Sequence, residues 1–519
     1  MGGMVRGGMK HGAALLAALT LAAAWPGLAQ ARWLKAETER FIVYGEGRES
    51  RVRELAVKLT IFDAVLRALH PAHDKRPPPR KLEVYLVDGW GELRRVRPEV
   101  GAHVVGAYLA GPRGTFAIAQ MYDGGLQAEE VLFHEYAHAF MLENFPAAYP
   151  AWFTEGWAEY FMTVEVSRER AKIGGYNENR AYWLFTAGWI PLEDLVSKTY
   201  AQIEPHQRRI YYPQAWLLMH YMRSDPARGA QLDEAVRAIA GGAAPVKAME
   251  EATGQSLAEL ERALKKYRRL PVLTLPDPVE AEPAVEVSDL PPSADDILLY
   301  DLRLRDASPA KPDASALADI RKRAAKWPGD RLAELTLARA EFVYGDPAAG
   351  EAIVKRWLEA DPNDVEALHV AGVGRLDAGD RDPKRRQQLY RAARADLMKA
   401  YGLDNTDYRL LLAYVRSRTV EPAFPTENDI TAQLTARAMA PTVDEASVMA
   451  GAMLIHRGRA DEAKRALAIV ANNPHGGQLA AQAREMLAGK TAEQAAQLAA
   501  AAPAEDDGTG GPAPPPAGK

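Results

Sequence analysis

The chain contains no cysteine, which excludes disulfides, a thiolate nucleophile, a lipid-modified cysteine behind a leader and Cys metal ligands. Any metal must be held by His and carboxylates. It also lacks an excess of one charge. A formal net charge of -5 over 519 residues, with acids and bases interspersed, leaves no electrostatic footprint for a polyanion, so nucleic acid is set aside as a partner. Long apolar runs are missing as well. The stretch Ala13 to Trp25 falls short of the roughly 20 residues that span a bilayer, and no comparable run follows it, so no transmembrane segment is expected in the mature chain. What is present, 48% apolar and 26% charged residues, is the composition of a globular chain long enough for two or three domains.

The first residues have the three parts of an export signal: Arg6 and Lys10, the apolar stretch, then Pro26, Gly27 and the small-residue site Ala29-Gln30-Ala31. Residues 1–31 are therefore expected to be a signal peptide cleaved after Ala31, with an uncleaved anchor as the alternative. Export without disulfides points to a bacterial periplasm, with the extracellular medium as the second compartment.

Phe41-Ile42-Val43-Tyr44 and Leu82 to Val87 read as strands, and Ser50 to Leu69 between them carries apolar residues at helical spacing. Gly106 to Ala119 folds about Gly111-Pro112-Arg113-Gly114 as a hairpin. A helix is expected from Gln127 to about Asn144 and another from near Thr154, separated by Pro146 and Pro150; further helices are expected at 213–223, 231–240 and 256–269. This gives an α+β domain over 32–270. A Pro-rich linker with a connecting helix over 271–320 follows, and a disordered Ala/Gly/Pro-rich tail over 491–519 closes the chain.

Between them, 321–490 reads as all-α repeats. Pro328-Gly329-Asp330 and Pro362-Asn363-Asp364 lie 34 residues apart, the tetratricopeptide period. The segment from Asp361 through Ala371-Gly372 to Gly379-Asp380 resembles the first helix and turn of such a repeat. A later unit, Val443 to Pro474, places Ala450-Gly451, Gly458, Ala463 and Leu467 similarly, while 381–440 departs from strict period. Such repeats bind extended peptides or proteins, so a protein partner on this region is expected.

The segment His134-Glu135-Tyr136-Ala137-His138 carries the chemistry. On a helix the two histidines share one face and both reach a single Zn²⁺, while Glu135, turned about 100° away, is free to act as general base on a zinc-activated water. Five residues alone are moderately specific. Val131, Leu132, Phe133, Phe140 and Met141 add an apolar surface that would bury the motif.

Downstream, Pro150-Ala151-Trp152-Phe153-Thr154-Glu155-Gly156-Trp157-Ala158-Glu159 resembles the gluzincin zinc metallopeptidases, and residues 33–270 are similar to poorly characterised bacterial families with such a domain. The resemblance implies a zincin-like fold, one zinc ion, a peptide or protein substrate and Glu155 as third ligand. It implies further that Glu159 hydrogen-bonds a ligand histidine and that a Tyr from a later helix stabilises the oxyanion. Glu155 and Glu159 lie 17 and 21 residues after His138, a distance that does not separate them; the Glu-Gly-Trp-Ala pattern favours Glu155. For the oxyanion, Tyr212 is preferred to Tyr211, with packing as the alternative for both, and His206 reads as a surface residue. His70, His73, His103, His220, His369 and His456 read as packed or surface histidines.

The leading expectation is an exported zinc peptidase. The alternatives are a catalytically silent zinc-binding or metal-free scaffold for protein interaction, and an envelope quality-control peptidase with a more distant third ligand.

Overall fold

The computed structural model describes residues 33–70, 80–101, 104–121, 126–306 and 311–501. The leader expected over 1–31 lies outside them, and no helix among the described residues is long and apolar enough to cross a membrane. An N-terminal α/β sheet region is followed by an all-helical region.

The sheet grows from a strand–helix–strand unit. β1 (Trp33–Glu37) pairs antiparallel with β2 (Phe41–Glu46), α1 (Glu49–Leu69) crosses over, and β3 (Leu82–Val87) returns parallel to β2, because a parallel pair needs a long connection. After α2 (Trp90–Val96), the hairpin of β4 (Gly106–Gly111) and β5 (Gly114–Gln120) adds to β3 through β5. Both faces of β3 are covered, which is why its sequence is nearly continuous in apolar residues. Val84 and Leu86 join one core with α1 and α3 (Leu126–Asn144), and Tyr85 and Val87 join a second with Leu93 and Leu298. The buried residues Val52, Leu55, Leu59, Phe62, Val65 and Leu66 follow one face of α1. Phe62 stacks on Phe133 of α3 with ring centroids 4.1 Å apart, so the sheet and α1 together fix where α3 lies.

The rest of this region comprises α4 (Ala151–Met162), β6 (Glu165–Val166), β7 (Arg170–Ile173), α5 (Glu178–Thr186), α6 (Leu192–Ser197), α7 (Arg208–Arg223), α8 (Pro226–Ala240), α9 (Pro245–Thr253) and α10 (Leu257–Lys266). Asp225 caps α8, and a Ser256–Glu259 capping box opens α10. α7 starts at Arg208, so Pro213 lies inside it rather than at its start.

The Pro-rich stretch read as a linker is instead woven into the fold. β8 (Leu273–Pro276) pairs with β7, β9 (Glu286–Asp289) becomes the edge of the main sheet beside β1, and α11 (Ala294–Arg305) covers the second sheet face. The sheet order is β4-β5-β3-β2-β1-β9. Edge strands tolerate proline, and Glu286-Val287-Ser288-Asp289 shows no apolar alternation to betray it.

The helical region continues with α12 (Ala314–Ala324), α13 (Arg331–Tyr344), α14 (Pro347–Ala360), α15 (Val365–Arg381), α16 (Arg386–Leu403), α17 (Tyr408–Arg418), α18 (Glu427–Met439), α19 (Asp444–His456), α20 (Ala460–Ala471), α21 (Gly477–Leu487) and α22 (Ala492–Ala501). The two Asp residues at the 34-residue spacing are both caps: Asp330 accepts from Ala333 N, and Asp364 from Ala367 N. A Cβ on Gly372 would lie 2.7 Å from Leu397, and one on Gly451 2.5 Å from Leu467. The two Ala-Gly pairs therefore mark equivalent close approaches within α15–α16 and α19–α20. The tail expected to be disordered from 491 begins as α22, which packs on α21 and whose Ala495 is buried in one cluster with Ala483 and Met486; residues 502–519 lie outside the described residues.

The helical region folds back onto the β4–β5 hairpin. Arg113 at its tip donates to both oxygens of Asp377 on α15, at 3.0 and 2.9 Å, and the Tyr408 hydroxyl meets Gly111 O at 3.1 Å and Thr115 Oγ1 at 2.9 Å. Tyr108 donates to Thr442 at 3.2 Å.

Candidate metal centre

α3 is held between the sheet and α4, with Leu132, Phe133, Tyr136, Ala137, Phe140 and Met141 in the core. This orientation turns His134 and His138 inward together, and their Nε2 atoms lie 3.1 Å apart. α4 is apolar almost all round and packs against α7 so tightly that a Cβ on Gly156 would sit 2.7 Å from Ala215 O. That contact sets the depth of its neighbour Glu155, which is fully buried, with Oε2 at 3.5 Å from the Nε2 of both histidines.

Glu159, one turn on, is also buried and lies 3.3 Å from His134 Nδ1 and 3.0 Å from Arg180 Nη2 on α5. His134 is thus held from both ring nitrogens, Glu155 before it and Glu159 behind. The structure brings His134, His138, Glu155 and Glu159 together and gives the two glutamates different places. Glu155 faces the space between the imidazoles, and Glu159 faces the back of one.

A further residue completes the group. His475, in the turn between α20 and α21, places Nε2 2.8 Å from Glu155 Oε1, with its ring 5.2 Å from that of His138. The ligand-type atoms of His134, His138, Glu155 and His475 all lie within 4.8 Å of one another. The turn is anchored by Asn472 Nδ2 donating to Ala148 O in the α3–α4 connection (3.1 Å) and by Asn473 Nδ2 donating to Asp444 (2.7 Å). Asn473 Oδ1 accepts from the backbone N–H of His475 at 3.0 Å. Nothing in the local sequence marks His475: it is a lone histidine in Asn-Pro-His-Gly-Gly, remote in sequence from the motif, and only the return of the helical region brings it here.

These residues fit a metal ion. Neither oxygen of the buried Glu155 makes a well-aligned hydrogen bond among the described residues, so its charge has to be balanced by a cation or by protonated imidazoles around it. Two ligands bonded to one zinc at tetrahedral angles sit about 3.3 Å apart, close to the 3.1 and 3.5 Å found between the histidine nitrogens and from them to Glu155. Without an ion, protons answer the same field. Burial opposes charge on His134 and His475, yet Glu155 and Glu159 raise His134 to about 10 and Glu155 raises His475 to about 9. Burial pushes Glu155 up, but the imidazoles of His475, His138 and His134 hold it well below the usual carboxylate range. Burial lowers His138.

Glu135 is half-buried, has no hydrogen bond or ion pair among the described residues, and its charge acts on His475. Tyr211 and Tyr212 are buried on α7, and burial followed by the charge of Glu155 raises both hydroxyls well above their ordinary value. The Tyr211 hydroxyl has no partner among the described residues, and Arg180 lies over the Tyr212 ring at 4.7 Å. His206 is exposed. His220 and His369 are buried away from this cluster, and His73 and His103 lie outside the described residues.

No protein-family model matches the chain, and neither the curated proteins nor the solved structures contain a match.

Proposed function

We propose that this chain is an exported zinc-dependent peptidase of gluzincin type, with a zincin-like catalytic domain and tetratricopeptide-like helices that recruit a substrate or partner protein. The observation that carries the reading is the convergence of His134, His138 and Glu155, with Glu159 behind His134 and Glu135 beside the cluster without a partner. An all-nitrogen-and-oxygen donor set with three imidazoles in reach suits zinc among the common divalent ions.

A zinc ion held there would supply a Lewis acid and lower the pKa of water. Glu135 takes the proton from the attacking water and returns it to the leaving amine. A tyrosine hydroxyl of Tyr212 or Tyr211 donates to the developing oxyanion. Glu159 fixes the ring of His134 in the tautomer whose Nε2 lone pair faces Glu155's side of the cluster.

A second reading has support of its own. Four protein ligands make a closed site of the kind that stabilises folds, so a silent zinc-bound scaffold is the alternative. One pair of measurements separates them: zinc stoichiometry and cleavage of a broad peptide library, on the wild type and on Glu135→Gln. The peptidase reading expects one zinc per chain in both proteins and cleavage in the wild type alone. Zinc without cleavage in both, and in His475→Ala as well, would establish the scaffold, and Glu155→Ala with undiminished zinc would remove the assigned ligand set.

A further inference from the structure

We propose that His475 is the fourth ligand of the centre, so that the helical region closes its metal site in the resting chain and opens it by withdrawing the Asn472–Gly477 turn. The gating half of this proposal rests on the peptidase reading above; the ligand half does not.

Glu155 presents its two oxygens in different directions, Oε2 toward His134 and His138 and Oε1 toward His475. The third imidazole therefore meets the carboxylate oxygen that the two histidines of the motif helix do not. In a tetrahedral zinc site three protein ligands leave one position for water, and four leave none. A catalytic site needs that position, and His475 as a fourth ligand would fill it.

The turn is built to present this side chain. Asn473 bonds forward to the His475 N–H and sideways to Asp444 on α19, which ties the turn to its own helices. By contrast, among the described residues and apart from His475 itself, the turn's side-chain hydrogen bond to the α/β region is the Asn472 contact to Ala148 O. A ligand tied firmly to one body and lightly to the other can leave with that body. Occupation of the helical region by a peptide or protein would then be coupled to freeing the fourth position, and by linkage zinc would favour the docked form.

The test reads coordination directly. X-ray absorption of the zinc-loaded full chain should show three imidazoles in the wild type and two in both His475→Ala and His475→Asn, with an oxygen scatterer gained; the second substitution guards against a fold lost in the first. Cobalt substitution should give a matching change in visible absorption. Peptide cleavage should rise at least about tenfold in both variants. Two imidazoles in the wild type, or spectra unaltered by either substitution, would overturn the ligand assignment whatever the activity. Loss of one imidazole from a wild type that cleaves, with no gain in rate, would overturn the gate. Loss of one imidazole with no cleavage by any protein leaves His475 a ligand, overturns the gate, and shows the peptidase reading to be at fault.

Discussion

At the scale of single residues the centre is a matter of how buried polar groups are kept in place. Among the described residues Glu159 pairs with the far nitrogen of His134 and the Arg180 guanidinium, so it would act on a bound metal through the imidazole. Outer carboxylates of this kind contribute about 10–100-fold to metal affinity, and Glu159→Gln should weaken zinc binding by that factor while leaving stoichiometry at saturation intact; competition against a chromophoric chelator measures it. His220 shows the same discipline without a metal. Its Nε2–H donates to Gly174 O at 3.1 Å and its Nδ1 accepts from the Tyr267 hydroxyl at 3.0 Å, which ties α7 to the β7 exit and to the end of the domain. Burial lowers its pKa, against the smaller opposing pull of the Gly174 and Pro271 carbonyls. The unfolded chain, titrating near 6.5, therefore binds a proton that the native state refuses, and stability present above about pH 6.5 is lost as pH falls below it. Urea midpoints at pH 7.5 and 5.5 should show this drop, and His220→Gln should show a smaller one.

At the scale of elements, the approach of α4 to α7 places Glu155, the proposed third ligand. A Cβ on Gly156 would meet backbone, at Ala215 O, rather than the yielding end of a side chain. Gly156→Ala should thus push the helices apart, cost about 1–3 kcal/mol and reduce zinc affinity by moving Glu155; calorimetry and the chelator titration together test it. This contact gives a physical reason for the glycine after Glu155, which the sequence offered only as a pattern. Much else at this scale was readable because it is local. Helical spacing along 50–69 corresponds to α1, and the glycines of 111–114 to the β4–β5 turn. What escaped was decided by distant partners. β9 has no apolar alternation and exists because β1 offers an edge, and the prolines of 271–292 suggested a linker where the chain is laid against the sheet. α22 is rich in alanine like the tail beyond it, and docking against α21 makes it a helix.

At the scale of the whole molecule, the α/β region and the helices meet at the hairpin tip, far along the chain from the turn that carries His475. Asp377 is buried and holds two guanidiniums, Arg113 of the hairpin at 2.9 Å and Arg416 of α17 at 2.9 Å. Removing a buried partner leaves uncompensated charge, a loss of about 3–5 kcal/mol for fully enclosed pairs, and the partial exposure of Arg416 places Asp377→Ala toward the lower end. The cost falls on docking, since Arg113 belongs to one region and Asp377 to the other. His475 could not be foreseen from its neighbours in sequence for the same reason: its position depends on this long-range closure and not on any local spacing. If closure carries the fourth ligand to the centre, loosening it at Asp377 should be felt there. Asp377→Ala is expected to lower the melting temperature and, in the zinc-loaded chain, to shift the absorption spectrum part of the way toward that of His475→Ala. Asp377→Asn, which keeps the shape and some of the hydrogen bonding, should shift it less. A destabilised Asp377→Ala protein with the wild-type metal spectrum would show that the turn is held at the centre by its own contacts, independently of the hairpin.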